Sequence, residues 1–192
     1  HKVPLLRKMY FNTIGRPFVG KKIRPLIPLL KKNTAILDLG SGNGLAAHLL
    51  KQEGLNITCV DIHEGEYDPS VKPVVYDGKT IPFPDRHFEA GIILTVLHHI
   101  DNPEAVIKEA GRVCDRLIIM EDIYTNKVQQ YLTYWLDSLA NLFYSPCPHT
   151  NKNDKEWKAT FEAMDLELVS VHYRYVLFIV KQVIYEVKHK KA

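Results

Sequence analysis

The chain has little cysteine and no arrangement of it that builds anything. Cys59, Cys114 and Cys147 are the only three among 192 residues, far apart and without paired spacing, which argues against a disulfide framework or a cysteine zinc site. Nine histidines show no metal-ligand spacing either. The adjacent pair His98 and His99 is expected to send its rings to different faces of a strand or helix, so no metal is expected. Long apolar runs are also missing. Ala90 to Leu97 and Tyr175 to Val180 are the longest, far short of the roughly 20 residues that cross a bilayer, and no signal-type segment follows the basic start. A cytoplasmic setting is therefore expected. Repeats and low-complexity tracts are absent, and 46% hydrophobic residues suffice for the core of one domain. His1, standing where Met is usual, is expected to be a tag remnant or a trimmed start.

Acidic residues are missing from one end. Residues 1–34 hold nine Lys or Arg and no Asp or Glu, residues 188–192 add three Lys, and the body between carries 13 basic against 22 acidic residues. One reading is solubility, with basic termini lying against an acidic body. A sharper one makes residues 1–34 a basic cap, with Leu5, Leu6, Tyr10, Phe11, Ile14 and Phe18, that draws an anionic small-molecule substrate, an RNA or a membrane surface. Pro17, Pro25 and Pro28 should break it into short helices. The domain proper then runs from 35 to 192. Deleting residues 1–24 should leave a foldable body and impair function.

What is present begins at Ile36. Ile-Leu-Asp-Leu-Gly-Ser-Gly-Asn-Gly is a buried-strand run entering an acidic turn, where Gly40, Gly42 and Gly44 permit positive φ and let a ligand lie against the main chain. The helical spacing from Leu45 to Gln52 then places a helix N-terminus at the turn, which favours negative charge. The dinucleotide-binding pattern needs a third glycine where Leu45 stands, so that reading is disfavoured. The next strand, Ile57 to Val60, closes on Asp61. One ionised carboxylate can accept from two vicinal hydroxyls, which suits a ribose. A third segment runs from the strand Val74 to Tyr76 through Asp77-Gly78 to the nearly all-apolar strand Phe88 to Thr95, which reads as a parallel strand covered on both faces, and on to Leu97-His98-His99.

These three segments, in this order, resemble the class I S-adenosylmethionine (SAM) methyltransferases, and the stretch from Val74 to His99 is similar to the type 11 subgroup that acts mostly on small molecules. The resemblance spans about half the chain. It implies an α/β three-layer sandwich with a Rossmann-like, seven-stranded, mostly parallel sheet in the order 3-2-1-4-5-7-6. It further implies that Asp38, Gly40, Ser41, Gly42 and Gly44 cradle SAM, with the carboxylate of its methionine reaching the helix N-terminus. On the same resemblance, Asp61 holds the ribose, Ile62 lies against the adenine, Asp77 and Gly78 meet the adenine edge, and Thr95 meets the methionine part. S-adenosylhomocysteine (SAH) would be the product. Methyl transfer is an in-line displacement that mainly needs alignment; where the acceptor must lose a proton, His98 or His99 is the best-placed base, and Glu121, Asp122, Tyr124 and His149 are further candidates.

Other classes leave different marks. No Asn-Pro-Pro-aromatic motif follows the fourth strand, which disfavours methylation of exocyclic amines on flipped bases. Pro146-Cys147 lies in the wrong segment for a cytosine C5 nucleophile. Lipid or RNA methylation through the basic termini, a non-catalytic SAM-binding protein and an NAD-dependent oxidoreductase remain the alternatives. For the rest of the chain, the pattern predicts a helix from an Asp101 cap to about Val113 and a fifth strand over Arg116 to Met120. It continues with an amphipathic helix over Val128 to Tyr144 that packs on the sheet or covers the substrate. A helix over Lys155 to Met164 follows, then closing antiparallel strands over Leu166 to Tyr173 and Val176 to Val187.

Overall fold

The computed structural model describes residues 11–65, 68–125, 152–176 and 180–190. The helix expected over Val128 to Tyr144 and the loop with Cys147 and His149 lie outside these residues. Seven strands form one sheet in the order β3-β2-β1-β4-β5-β7-β6: β1 (Ala35–Leu39), β2 (Asn56–Asp61), β3 (Val74–Val75), β4 (Ala90–Leu94), β5 (Arg116–Ile123), β6 (Leu166–Val176) and β7 (Val180–His189). Strands β1 to β5 pair in parallel, while β7 runs antiparallel to both β5 and β6. The order implied by the methyltransferase resemblance is the one observed.

Period-two alternation sends neighbouring side chains to opposite faces, and both faces are covered. Ile36, Ile92, Ile118 and Ile184 join one buried cluster, with Ile23, Leu26, Ala47 and Leu50. Leu37, Ile93, Ile119 and Tyr185 join the other, with Ile107, Ala110, Trp157 and Phe161. Helices α1 (Arg16–Ile23) and α2 (Leu45–Gln52) thus lie on the first face, and α3 (Pro103–Val113) and α4 (Asp154–Ala163) on the second. Fully buried apolar side chains contribute roughly 1.5–3 kcal/mol each, which explains why the near-continuous apolar strands were legible.

Several boundaries differ from the sequence reading. The cap of α3 is Asn102, whose Oδ1 accepts from Ala105 N at 3.1 Å, instead of Asp101; Pro103 occupies the first turn, where its missing N–H costs nothing. The β4 strand stops at Leu94 because Thr95 adopts φ +57°, a left-handed backbone that ends extended pairing. Strand β5 continues to Ile123 since β7 pairs with it along its full length. The basic N-terminal segment is anchored in the core: Ile23 and Leu26 are buried, as is Leu30 beyond them, so a cut after residue 24 removes the core side chain of Ile23 as well as surface charge. Pro17 starts α1, and Pro25 and Pro28 fall in the 3₁₀ turn Arg24–Leu29.

Candidate functional site

The chain crosses from β1 to β2 and β3 on one side and from β4 to β5 on the other, so the carboxyl ends of β1 and β4 flank the crevice where open α/β sheets bind ligands. Asp38 lies in β1, buried, and its Oδ2 has no hydrogen-bond partner among the described residues. Burial first, and then the charge of Asp61, pushes its carboxyl up to about 7, against the pull of Lys22. A buried acceptor without a partner is costly, so this atom calls for a donor.

The turn after β1 divides its glycines by function. A Cβ on Gly40, at φ +73°, would lie 2.7 Å from both methyls of Val96. Gly44, at φ +75°, is pressed in the same way by Val71. Both are therefore glycine for packing and backbone reasons. Gly42 differs, with φ +56° and open space where a Cβ would be, so it presents bare backbone to the crevice. Gly40→Ala should cost about 2–4 kcal/mol from left-handed strain plus overpacking, read as a drop in Tm with roughly 2–4 °C per kcal/mol at this size. Gly42→Ala, by contrast, should melt closer to the parent.

Asp61, at the end of β2, accepts from Gly42 N through Oδ2 at 2.8 Å and from His63 N through Oδ1 at 3.0 Å. The carboxylate thus ties the glycine turn to the β2 loop. Gly40 N and Ser41 N both point at Val60 O, at 2.8 and 3.4 Å, which keeps Ser41 within the same turn. Ile62 is 51% exposed, an apolar side chain facing outward next to Gly78, whose Cβ position is 3.5 Å from it. Asp77 caps its own turn, with Oδ1 accepting from Lys79 N at 2.8 Å and Thr80 N at 2.7 Å, bonds that hold its carboxyl below the usual range. Ile62, Asp77 and Gly78 therefore form one edge of the crevice, and Thr95 forms part of the other.

The two histidines differ. His98 is buried with Nδ1 2.6 Å from Glu121 Oε2, and since an ionised carboxylate only accepts, Nδ1 carries the proton. Glu121 Oε1 also accepts from Val96 N at 3.0 Å and Leu97 N at 2.8 Å. The pair thereby fixes the loop after β4 in place, and this geometry gives His98 a holding role. His99 is half-buried. The two rings lie side by side, centroids 4.1 Å apart, which corrects the expectation that they face apart: Leu97–His99 is a 3₁₀ turn, and strand or helix periodicity does not apply there. No group of three or more His, Cys, Asp or Glu is placed to hold a metal ion among the described residues. Asp122 accepts from Gln182 Nε2 at 2.7 Å, and burial raises its carboxyl. Tyr124, just past the end of β5, donates through its hydroxyl to Glu156 Oε2 at 3.4 Å.

Sequence reasoning missed Lys22 and named Glu121 only as a further candidate base. The link of Glu121 to the β4 loop spans 23 to 25 positions. Lys22 was counted only as part of a basic segment, yet its Nζ donates to Thr95 Oγ1 at 2.6 Å, across 73 positions. No local signal marks either pairing.

The seven-stranded sheet in this order, with a glycine turn after β1 and acidic residues on β1 and at the end of β2, is a Rossmann-like arrangement whose crevice lies at the carboxyl ends of its parallel strands. Residues 37–116 match the family model described as "Methyltransferase domain". A demethylmenaquinone methyltransferase of Thermotoga maritima is 29% identical over 132 residues, 56% of this chain and 55% of that protein. The chain thus spans about half the length of the curated relatives it matches. Two solved structures share the fold. One is a SAM-dependent methyltransferase from Archaeoglobus fulgidus, with TM-score 0.70 and 16% identity, covering 94% of this chain and 98% of the other. The second is magnesium protoporphyrin IX methyltransferase from Synechocystis PCC 6803 with bound SAH, with TM-score 0.65 and 16% identity, covering 99% and 90%.

Proposed function

We propose that the protein is a methyltransferase that moves the methyl group of SAM to a small-molecule acceptor. The observation that carries this reading is the buried Oδ2 of Asp38, without a hydrogen-bond partner among the described residues, on the strand that runs into the glycine turn with the bare backbone of Gly42. An α-ammonium group supplies the missing donor, and SAM brings one on its methionine. Its sulfonium supplies an activated methyl, leaving the chain's residues to bind and align. Asp38 would take the ammonium, Asp61 the ribose hydroxyls through lone pairs not used by its two amides, Ile62 the adenine face, and Asp77 with Gly78 the adenine edge. Gly40, Ser41, Gly42 and Gly44 would form the cradle and Thr95 the wall by the methionine. His99 is the better-placed base for an acceptor that must lose a proton, with His98 held by Glu121 as its neighbour.

The relatives named as demethylmenaquinone methyltransferases support an aromatic, quinol-like acceptor. Residues 1–34 would serve as the cap on the acceptor side, and their positive charge suits an acceptor that reacts as an anion. No helix among the described residues is long and apolar enough to cross a membrane, and Cys59 and Cys114 are free thiols; reduced thiols suit the cytoplasm we assign as the working compartment.

SAH at saturating concentration should raise Tm, since a ligand that binds only the native state stabilises it by about 2.7 kcal/mol at a hundred times Kd. A shift with NAD and none with SAH would overturn the methyltransferase reading in favour of an oxidoreductase. Asp61→Ala should weaken SAH binding by about tenfold to a hundredfold, from lost bonds to an ionised acceptor and a loosened turn. Titration calorimetry would measure it, and an unchanged Kd would place the ribose elsewhere.

A further inference from the structure

The crevice contains a cation that the sequence did not lead us to place there. Lys22 sits at the end of α1, next to Ile23, which is 3% exposed. Arg174 of β6 donates through Nη1 to Lys21 O at 2.9 Å and Lys22 O at 3.2 Å, so the backbone carrying this lysine is held from both sides. Its Nζ reaches Thr95 Oγ1 at 2.6 Å. Thr95 Oγ1 in turn donates to Leu94 O at 2.6 Å, which leaves its lone pairs for the ammonium. Thr95 lies two residues past Ile93, the register partner of Leu39, and Gly40 follows Leu39. The ammonium is therefore at the mouth between β1 and β4, level with the glycine turn. Burial lowers the pKa of Lys22, while Asp122, Glu121 and Asp38 draw it back up.

Those three carboxylates are not equivalent. Glu121 is engaged by two amides and His98, and Asp122 accepts from Gln182. Among the three, Asp38 is the one with a fully buried oxygen that has no hydrogen-bond partner among the described residues. A fixed cation and a fixed, buried anion at one crevice mouth match a zwitterion, and the amino acid end of SAM is one. The helix N-terminus expected to receive the carboxylate is partly used up: Leu45 N already donates to Asn43 Oδ1 at 3.0 Å.

We propose that Lys22 is a cofactor-positioning residue whose ammonium pairs with the methionine carboxylate of SAM and SAH, while Asp38 receives the α-ammonium. The assignment rests on the SAM reading above. It makes the N-terminal segment part of the cofactor site, held there by the burial of Ile23 and Leu26. An arginine at this position would keep the charge but not the compact reach to Thr95.

The test compares two ligands on three proteins by titration calorimetry: SAH, and decarboxylated SAH, in which an aminopropyl chain replaces the amino acid. The parent protein should prefer SAH by about tenfold to a hundredfold, the range of one charge-assisted pair. Lys22→Met, which keeps the apolar stem, should lose that factor for SAH and bind the decarboxylated ligand within about threefold of the parent. Lys22→Arg should fall between. If Lys22→Met binds SAH as the parent does, the lysine assignment fails and the SAM reading stands. Tighter SAH binding by Lys22→Met would show that the lysine fills the ammonium position, and an equal loss for both ligands would show a merely structural role; either overturns the proposal. A parent protein that binds neither ligand overturns the SAM reading itself.

Discussion

Asp38→Asn is expected to abolish most SAH binding while making the free protein more stable at alkaline pH. The two effects share a cause. The folded carboxyl is raised from 3.8 to about 7 by burial and by Asp61, so between those values the native state holds a proton that the unfolded chain has lost. Stability from that proton is fully present below about pH 4 and disappears as pH rises through about 7. The neutral asparagine carries no such term. Its Tm advantage over the parent should therefore widen from pH 5 to pH 8, by roughly 2–4 °C for each kcal/mol of buried-charge cost removed. Binding runs the other way, because an α-ammonium needs the ionised carboxylate. Parent affinity for SAH should rise as pH passes through about 7, with proton release detectable in buffers of different ionisation enthalpy. The variant should bind about a hundredfold or more weakly, as removal of one partner from a buried ion pair costs roughly 3–5 kcal/mol, and should show no such pH dependence. Equal Kd values for parent and variant at pH 8 would remove Asp38 from the site.

Glu121→Ala is expected to be the most damaging single change to the fold near the crevice. Its buried carboxylate accepts three hydrogen bonds, from Val96 N, Leu97 N and His98 Nδ1. Truncation strands all three donors, and each buried donor left unpaired costs about 1–3 kcal/mol. A loss of about 3–5 kcal/mol follows once water entry relieves part of it, measured as a reduced denaturation midpoint with little change in m. Glu121→Gln keeps an oxygen for the two amides and an amide group that His98 can accept from in its other tautomer, so it should lose less than half as much. Because Val96 packs on Gly40 and Thr95 precedes it, the alanine variant should also weaken SAH binding. An alanine variant that unfolds within about 0.5 kcal/mol of the parent, the range of an ordinary surface change, would show the network to be dispensable.

The glutamate and the aspartate differ in how they could be found. Asp38 announces itself in the sequence, since it lies inside an apolar strand run that ends in Gly-Ser-Gly-Asn-Gly, and a buried acid there needs a partner. Asp61 does the same at the end of β2. Helix α3 was placed correctly at its end, Val113, and one residue off at its cap, because Asp101 and Asn102 carry the same capping chemistry and only the backbone geometry chooses between them. The last hairpin was harder. Val176 was expected in the final strand and stands instead at the end of β6, while β7 continues to His189, since register between antiparallel strands is set by side-chain packing against β5 and not by local pattern.

The strands themselves, the glycine turn and the acidic residues on β1 and at the end of β2 were determined by the sequence alone, because each is encoded within a few residues: apolar strand runs, positive φ at glycine, and a carboxylate where a strand stops. The strand order was implied only by the resemblance to the methyltransferases. The reach of Lys22 to Thr95, the clasp of Glu121 on the β4 loop and the division of labour between Gly40 and Gly42 were decided only by tertiary structure. These depend on how α1, β5 and the β4 loop pack together, and a contact between residues 23 to 73 positions apart leaves no periodicity or spacing in the chain from which to read it.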